Sequence, residues 1–255
     1  FMLATLMAGS LIWLRNWHFD TANTDELTVE AYVRQFFMVQ LWDKPTVNEG
    51  SWAGPAWSLS AEWLAYLLFP LLALVVYRLA QRLNAIALLA CSYLAMSPLL
   101  VAFVENQRYT FEYAWRFRIL CMFTAGMFLA AAVGKARLND RLRAIAGTAA
   151  PLLIVGVIGW IYLCTYVITS WWIGWLILAW PPLIASLAIG TGWLIRALST
   201  RTLVVLGGAS YALYLIHGPL LKTFRDVTRR TEVLHIEQPY RYVAEMGFAL
   251  VLVAV

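Results

Sequence analysis

The sequence is dominated by a series of apolar stretches, each close to the ~20 residues that an α-helix needs to cross the ~30 Å hydrocarbon core of a bilayer. Hydrophobic residues make up 62% of the 255-residue chain and charged residues only 13%, whereas about 25% of the residues in soluble domains are charged. This composition excludes an ordinary soluble enzyme, a disordered chain and a nucleic-acid-binding module. The chain is therefore predicted to be an all-α integral membrane protein, a polytopic bundle of transmembrane helices.

Eight apolar runs are predicted to be membrane helices, because an uncharged run of this length satisfies its backbone hydrogen bonds only as a helix. No linker or internal repeat separates them, so residues 1–255 are interpreted as a single domain. The first and last runs begin and end abruptly, which favours a fragment truncated at both ends. The runs are 1–14, 57–77, 85–104, 114–133, 149–169, 171–195, 203–221 and 242–255.

The loops between these runs alternate in charge. One set is short and basic and contains a single acid, Asp140, which is typical of the cytoplasmic side of a membrane. This places residue 1 heading outward and residue 255 ending inward. In the long loop 15–56, the amphipathic segment AYVRQFFMVQLW is predicted to lie along the interface. The basic residues of the short loops are Arg78, Arg82, Lys135, Arg137, Arg141, Arg143, Arg196 and Arg201.

Glu62 is an ionisable residue inside a predicted membrane helix, in the segment GPAWSLSAEWLAYLLFP. Ionisable groups at membrane depth are costly, so each is a functional candidate by default. Ser58, Glu62 and Tyr66 follow one another at intervals of four residues and so lie along one helix face. We expect this polar stripe to face the bundle interior, with the Glu62 carboxylate buried and hydrogen-bonded.

His217 is the second such residue, in the segment GGASYALYLIHGPLL. Ser210, Tyr214 and His217 again share one helix face. Under the predicted orientation, Glu62 and His217 lie at similar depth in the outer half of the membrane, and we expect them to face one shared cavity. The alternative is that each merely ties helices together through hydrogen bonds.

Three segments of the chain resemble acyltransferase family 3, a family of integral membrane acyltransferases. GPAWSLSAEWLAYLLFPLL at 54–72 is similar to its Trp-Ser-Leu-Ser-x-Glu-Trp signature, and SYALYLIHGPLL at 210–221 is similar to a late helix that carries a His. RFRILCMFTAGMFLA at 116–130 resembles its Arg-containing helix. The three occur in the family's order and cover most of the chain.

The resemblance implies a fold of about ten membrane helices, of which the eight runs would be helices three to ten. It implies transfer of an acyl group, often acetyl, from acyl-CoA to a hydroxyl of an extracytoplasmic carbohydrate at the bacterial inner (plasma) membrane. The family's proposed catalytic His lies in a first helix, in an Arg-x10-His pattern that this chain lacks. The chain alone, without those first helices, is expected to be inactive.

Within this chain the resemblance implies two catalytic residues, Glu62 as an orienting or charge-stabilising partner and His217 as a substrate- or oxyanion-contacting group. Arg118 would anchor an anionic part of donor or acceptor. We expect acyl-CoA as co-substrate, no bound cofactor, no metal and no nucleic acid, with membrane lipids and the carbohydrate acceptor as partners. The other predicted substrate-binding residues are Trp57, Ser58, Ser60, Ser210 and Tyr214.

A second class of function remains open, because intramembrane Glu and His residues also line the paths of transporters. A transporter or flippase of a polar substrate would use the same stripes without any chemistry. An Arg-x10-His pattern in a helix upstream of residue 1 would favour the enzyme.

Overall fold

The computed structural model describes residues 2–19, 28–47, 56–106, 111–136, 138–168, 170–230 and 247. Every regular element within these residues is a helix, so the predicted all-α polytopic bundle is confirmed. The elements are α1 (Met2–Phe19), α2 (Val29–Phe36), α3 (Trp57–Arg82), α4 (Ala85–Asn106), α5 (Ala114–Lys135), α6 (Asp140–Tyr166), a 3-10 helix (Ser170–Ala179), α7 (Trp180–Ile189), α8 (Trp193–Leu198) and α9 (Arg201–Arg230).

Five helices in the described residues are long and apolar enough to cross a membrane, and a bent pair within α9 makes a sixth if it counts as one span. The predicted count of eight is therefore not confirmed. In the first run only a shorter apolar helix, Thr5–Leu14, meets the apolar criterion. Apart from Gly247, the last run lies outside the described residues. The five are Trp57–Arg82, Ala85–Glu105, Ala114–Lys135, Asp140–Tyr166 and Trp172–Ile189.

The prediction of one continuous helix over 171–195 is wrong. The segment enters as a 3-10 helix, becomes α-helical at Trp180 and ends at Ile189, before a separate short helix. Prolines at 181 and 182 lack the N–H that would extend the preceding turn, and they fit the first turn of α7. Gly192 has a φ of +144°, a backbone conformation that only glycine adopts readily, so the chain turns between α7 and α8.

The chain forms two compact units. The terminal unit consists of Phe1–Trp63 together with Val204–Val255, and the central unit consists of Leu64–Leu203. The boundary falls within α3, whose first turns belong to the terminal unit. The interpretation of residues 1–255 as a single domain stays a prediction.

The central unit is built around the antiparallel pair α4 and α5. Toward the start of α4, Leu88 packs with Phe128 of α5. Near the middle, the Ser92 hydroxyl donates a hydrogen bond to the Ala125 carbonyl, at 2.8 Å. Where α5 ends, the Lys135 ammonium donates to the Leu83 carbonyl at 2.9 Å and so satisfies an open carbonyl at the end of α3.

Helix α6 lies against the turn that joins α7 to α8. The Thr191 N–H donates to the Arg143 carbonyl at 3.0 Å. Gly147 is buried one turn further along α6, and a Cβ built on it would lie 1.5 Å from the Thr191 carbonyl oxygen. Because the obstacle is backbone, only glycine permits this approach.

We predict that Gly147→Ala destabilises the protein strongly, because the new methyl group forces α6 and the turn apart. Overpacking of this kind costs about 1–3 kcal/mol or more. The matched control is Gly156→Ala on the same helix, where an added Cβ meets nothing within 4 Å and replacement of a helical glycine is neutral or slightly stabilising. Thermal unfolding of the detergent-solubilised variants measures both. Equal unfolding temperatures would contradict the close contact at Thr191.

Candidate functional site

The first turns of α3 are held by the loop that follows α2. Ser60 is completely buried, and its hydroxyl accepts a hydrogen bond from the Leu41 N–H at 3.3 Å. Its carbonyl accepts a second hydrogen bond, from the Trp42 indole N–H, also at 3.3 Å. These contacts make Ser60 a support of the loop, and its predicted contact with substrate stays a prediction.

Two buried glutamines complete this polar contact. The Gln35 amide donates to the Thr5 hydroxyl at 3.0 Å, and the Gln40 amide donates to the Ala56 carbonyl at 2.9 Å. The Gln40 amide oxygen is buried and accepts no hydrogen bond from a described residue. Neither glutamine is among the residues predicted from the sequence to form the site. The amphipathic pattern of their segment carries no signal that would have selected them.

Helix α2 turns its apolar side outward and its glutamine inward. Gln35 is fully buried, whereas Val29 is 79% exposed and Phe36 and Phe37 are more than half exposed. Exposed apolar side chains of this kind are tolerated where they contact lipid, which imposes no penalty on exposed hydrocarbon. This agrees with the predicted position of the segment along the interface.

Arg34 fixes α2 to the loop that follows it. Its guanidinium pairs with Glu30 at 2.8 Å and with Asp43. The hydrogen bond from Arg34 lowers the pKa of the Asp43 carboxyl below its ordinary value. The pair therefore stabilises the loop at neutral pH, and its contribution is lost only as the pH falls through the lowered pKa. Both side chains are exposed to solvent, which screens the pair, so its contribution to stability is small.

Glu62 follows Ser60 by two residues in α3 and is half-buried. Within the described residues, no hydrogen bond or ion pair to its carboxylate is found, so the expected hydrogen-bonded partner is not among them. Ala61 and Ala65, on the same turns of α3, are buried. Tyr66 is 52% exposed and lies edge-on to Phe123, so the predicted stripe is not buried along its whole length.

His217 is half-buried in α9, and the geometry of its ring defines its tautomer. Nδ1 lies 2.6 Å from the Tyr214 carbonyl oxygen. A carbonyl only accepts hydrogen bonds, so Nδ1 carries the hydrogen of this bond. The Tyr214 ring lies alongside, with centroids 5.7 Å apart. Ser210 is exposed and donates back to the Gly207 carbonyl at 2.7 Å.

The start of α3 and the middle of α9 meet in one apolar cluster of the terminal unit. Ala56 and Leu215 are both buried there, together with Ala8 of α1. Glu62 follows Ala56 by six residues, about 9 Å along a helix axis, and His217 follows Leu215 by two, about 3 Å. The two helices therefore share a packing contact, and the predicted shared cavity stays a prediction.

Three other predicted residues are located as follows. Trp57 and Ser58 are half-buried in the first turn of α3, and Arg118 is exposed near the start of α5, in the central unit. No group of three or more His, Cys, Asp or Glu side chains able to hold a metal ion occurs in the part of the chain that the structure describes.

A comparison with known protein families shows to which family the chain that carries these residues belongs. Residues 1–255 match a family model described as an acyltransferase domain, that of acyltransferase family 3. The chain belongs to acyltransferase family 3. No curated protein and no solved structure matched it.

Family membership confirms the resemblance carried by the segments around Glu62 and His217. Together with the apolar helices, it makes this acyltransferase family 3 chain a multi-pass membrane protein. The acyltransferase assignment is made for the whole chain and does not by itself give a role to any single residue.

We predict that Ser60→Ala destabilises the terminal unit by about 1–3 kcal/mol, because it leaves the buried Leu41 N–H without an acceptor. Ser97→Ala on α4 is the matched control, since the Ser97 hydroxyl is exposed and bonds only its own helix at Leu94. Hydrogen exchange of the Leu41 amide should accelerate in Ser60→Ala alone. Unchanged exchange would show that the loop is held without Ser60.

Proposed function

We propose that this protein transfers an acyl group, in the simplest case acetyl, from acyl-CoA to a hydroxyl of a carbohydrate on the outer side of the bacterial inner membrane. The match of residues 1–255 to an acyltransferase domain carries this proposal. The polar groups that α3 and α9 place in one compact unit support it. The acyl-CoA donor, the carbohydrate acceptor and the membrane location are inferred from the family resemblance. The geometry of His217, Glu62 and the exposed arginines supports the donor and the acceptor.

His217 is suited to bind the acceptor hydroxyl. With Nδ1 bonded to the Tyr214 carbonyl, Nε2 is the ring nitrogen left to contact substrate. In the uncharged form of the ring Nε2 accepts a hydrogen bond from a substrate O–H, and in the protonated form it donates one to an oxyanion. The geometry is compatible with both roles predicted for His217.

Glu62 is suited to act on charge that develops during transfer. Its carboxylate is half-buried and is not bonded by any described residue, so it remains available to orient a donor group or stabilise a positive charge. In the transfer, the acceptor oxygen bonds to the thioester carbonyl carbon and the C–S bond breaks. The hydroxyl proton ends on the CoA sulfur, by way of a base such as a histidine.

A cluster of exposed arginines supports acyl-CoA as the donor. They lie at the start of α6 and between α7 and α9, where the Thr191 N–H bonds the Arg143 carbonyl and the Arg196 Nε–H bonds the Gly192 carbonyl at 3.3 Å. No described carboxylate forms an ion pair with these arginines. An unneutralised basic surface attracts polyanions, and the nucleotide part of acyl-CoA carries several phosphates. The cluster consists of Arg141, Arg143, Arg196 and Arg201.

The central test is acyl transfer by the full-length protein, read by mass spectrometry of cell-envelope carbohydrate with and without the gene. We predict that His217→Gln lowers product formation about 100-fold or more, the usual effect of losing a group that handles a reacting proton. Glu62→Gln should cause a large loss at normal expression. Glu30→Gln, which removes only an exposed pair with Arg34, is the control and should retain activity.

Two results would contradict this proposal. Unmodified carbohydrate in cells that carry the active gene would exclude a carbohydrate acceptor. Normal product in both His217→Gln and Glu62→Gln would reduce these residues to packing positions. Movement of a polar substrate across the membrane without any acylated product would favour the transporter instead.

We predict further that Arg143→Gln and Arg196→Gln raise the KM for acyl-CoA and leave the KM for the acceptor unchanged, because they weaken an electrostatic contact with the donor phosphates. Steady-state kinetics with acyl-CoA and with its analogue lacking the 3′-phosphate measures this. The wild type should discriminate between the two donors, and it should do so less at high salt. Equal discrimination by the variants would place the phosphates elsewhere.

A further inference from the structure

A cavity of 820 Å³ lies in the central unit, between the end of α4 and the start of α5. Its volume falls within the ~300–1,000 Å³ range of small-molecule sites. The cavity is at the end of the α4–α5 pair opposite to Lys135, and hence opposite to the basic loops. We call it the hairpin pocket. The lining residues that matter here are Glu105, Phe111, Glu112, Tyr113, Arg116 and Phe117.

Aromatic rings form one wall of the hairpin pocket and are held in place by one another. Phe111 and Phe117 meet edge to face, with centroids 6.0 Å apart. The Arg116 guanidinium lies over the Tyr113 ring, 4.3 Å from its centroid. Tyr113 adopts a left-handed conformation, with φ of 57°, immediately before α5. Such strain in a non-glycine residue is often found at binding sites.

The charges of the hairpin pocket select the kind of ligand. Glu105 and Glu112 line it, and neither forms an ion pair or hydrogen bond with a described residue. Among the lining residues that the structure describes, the one cation is Arg116, which faces aromatic rings. Two carboxylates against one cation in this described lining disfavour an anionic ligand, such as the CoA donor or a phospholipid headgroup. They suit a ligand that donates hydrogen bonds.

We propose that the hairpin pocket binds an uncharged, hydroxyl-rich ring, a sugar unit of the acceptor. The Glu105 and Glu112 carboxylates accept hydrogen bonds from its hydroxyls, and the negative faces of the aromatic rings attract its C–H groups. The identification of this sugar as the acceptor rests on the proposed function. The binding of a neutral carbohydrate itself does not.

The experiment measures binding in the absence of donor, with full-length protein in lipid nanodiscs. The probes are two uncharged tetrasaccharides, one of glucose and one of N-acetylglucosamine, titrated by saturation-transfer NMR. Glu112→Gln and Phe111→Leu should each weaken binding about tenfold, the effect expected from losing one hydrogen bond to a charged group or one stacking face. The matched controls are Glu30→Gln and Phe69→Leu, whose exposed side chains lie outside the pocket, and they should bind as the wild type does.

Two outcomes would overturn the proposal: failure of both tetrasaccharides to bind the wild type, or equal binding by the pocket variants and the controls. A lipid that co-purifies with the wild type and is lost in Phe111→Leu would assign the pocket to lipid instead. Acyl-transfer assays on the same proteins separate this inference from the proposed function. Donor-free binding that depends on Glu112 without any transfer would support the pocket and refute the reaction.

Discussion

In the terminal unit, buried polar groups are paired with one another by hydrogen bonds, as polar groups at membrane depth must be. An amide or hydroxyl without a hydrogen bond in an apolar medium costs about 2–7 kcal/mol, depending on the reference state. Here the loop after α2 supplies the partners, since Gln40 bonds the Ala56 carbonyl while Leu41 and Trp42 bond the two oxygens of Ser60. These bonds determine where α3 begins. Glu62, two residues beyond Ser60, is positioned by them.

The central unit meets the same constraint by keeping its charges at the two ends of its helices. Its interior holds few polar contacts, such as the bond from Ser92 to the Ala125 carbonyl. Basic side chains gather at the end marked by Lys135, and open carboxylates such as Glu112 lie at the other end. The two ends of the helices therefore differ in charge, one basic and the other acidic and aromatic.

The apolar runs predict the long helices well, because the length of a run and its lack of charge are enough to predict a membrane helix. The runs 85–104 and 114–133 differ from α4 and α5 only at their carboxyl ends. The run 171–195 is a candidate span only over Trp172–Ile189: prolines and Gly192 interrupt it locally, and the turn after α7 is held against α6 where Gly147 admits the Thr191 carbonyl. Composition cannot report such an approach.

The candidate site was predicted less completely than the helices. Its ionisable residues stand out in an apolar sequence, so Glu62 and His217 could be selected directly. Gln35 and Gln40 could not, because an amphipathic pattern does not reveal that a helix buries its polar side and exposes Phe36. Such an arrangement is tolerated where the exposed side chains contact lipid. The periodicity of the sequence does not show whether a helix face contacts lipid, protein or water.

The bend of α9 gives the strongest physical reason to assign His217 a role beyond packing. The segments Arg201–Leu215 and Leu220–Val227 meet at 60°, and the break contains His217, Gly218 and Pro219. A proline within a helix lacks the N–H that would bond one turn back, so the helix bends there. Broken backbone at membrane depth is tolerated only where it is buried in protein or lines a hydrated cavity. His217 lies at this break, with Nδ1 bonded to the Tyr214 carbonyl, and its contact with a ligand in the predicted shared cavity stays a prediction.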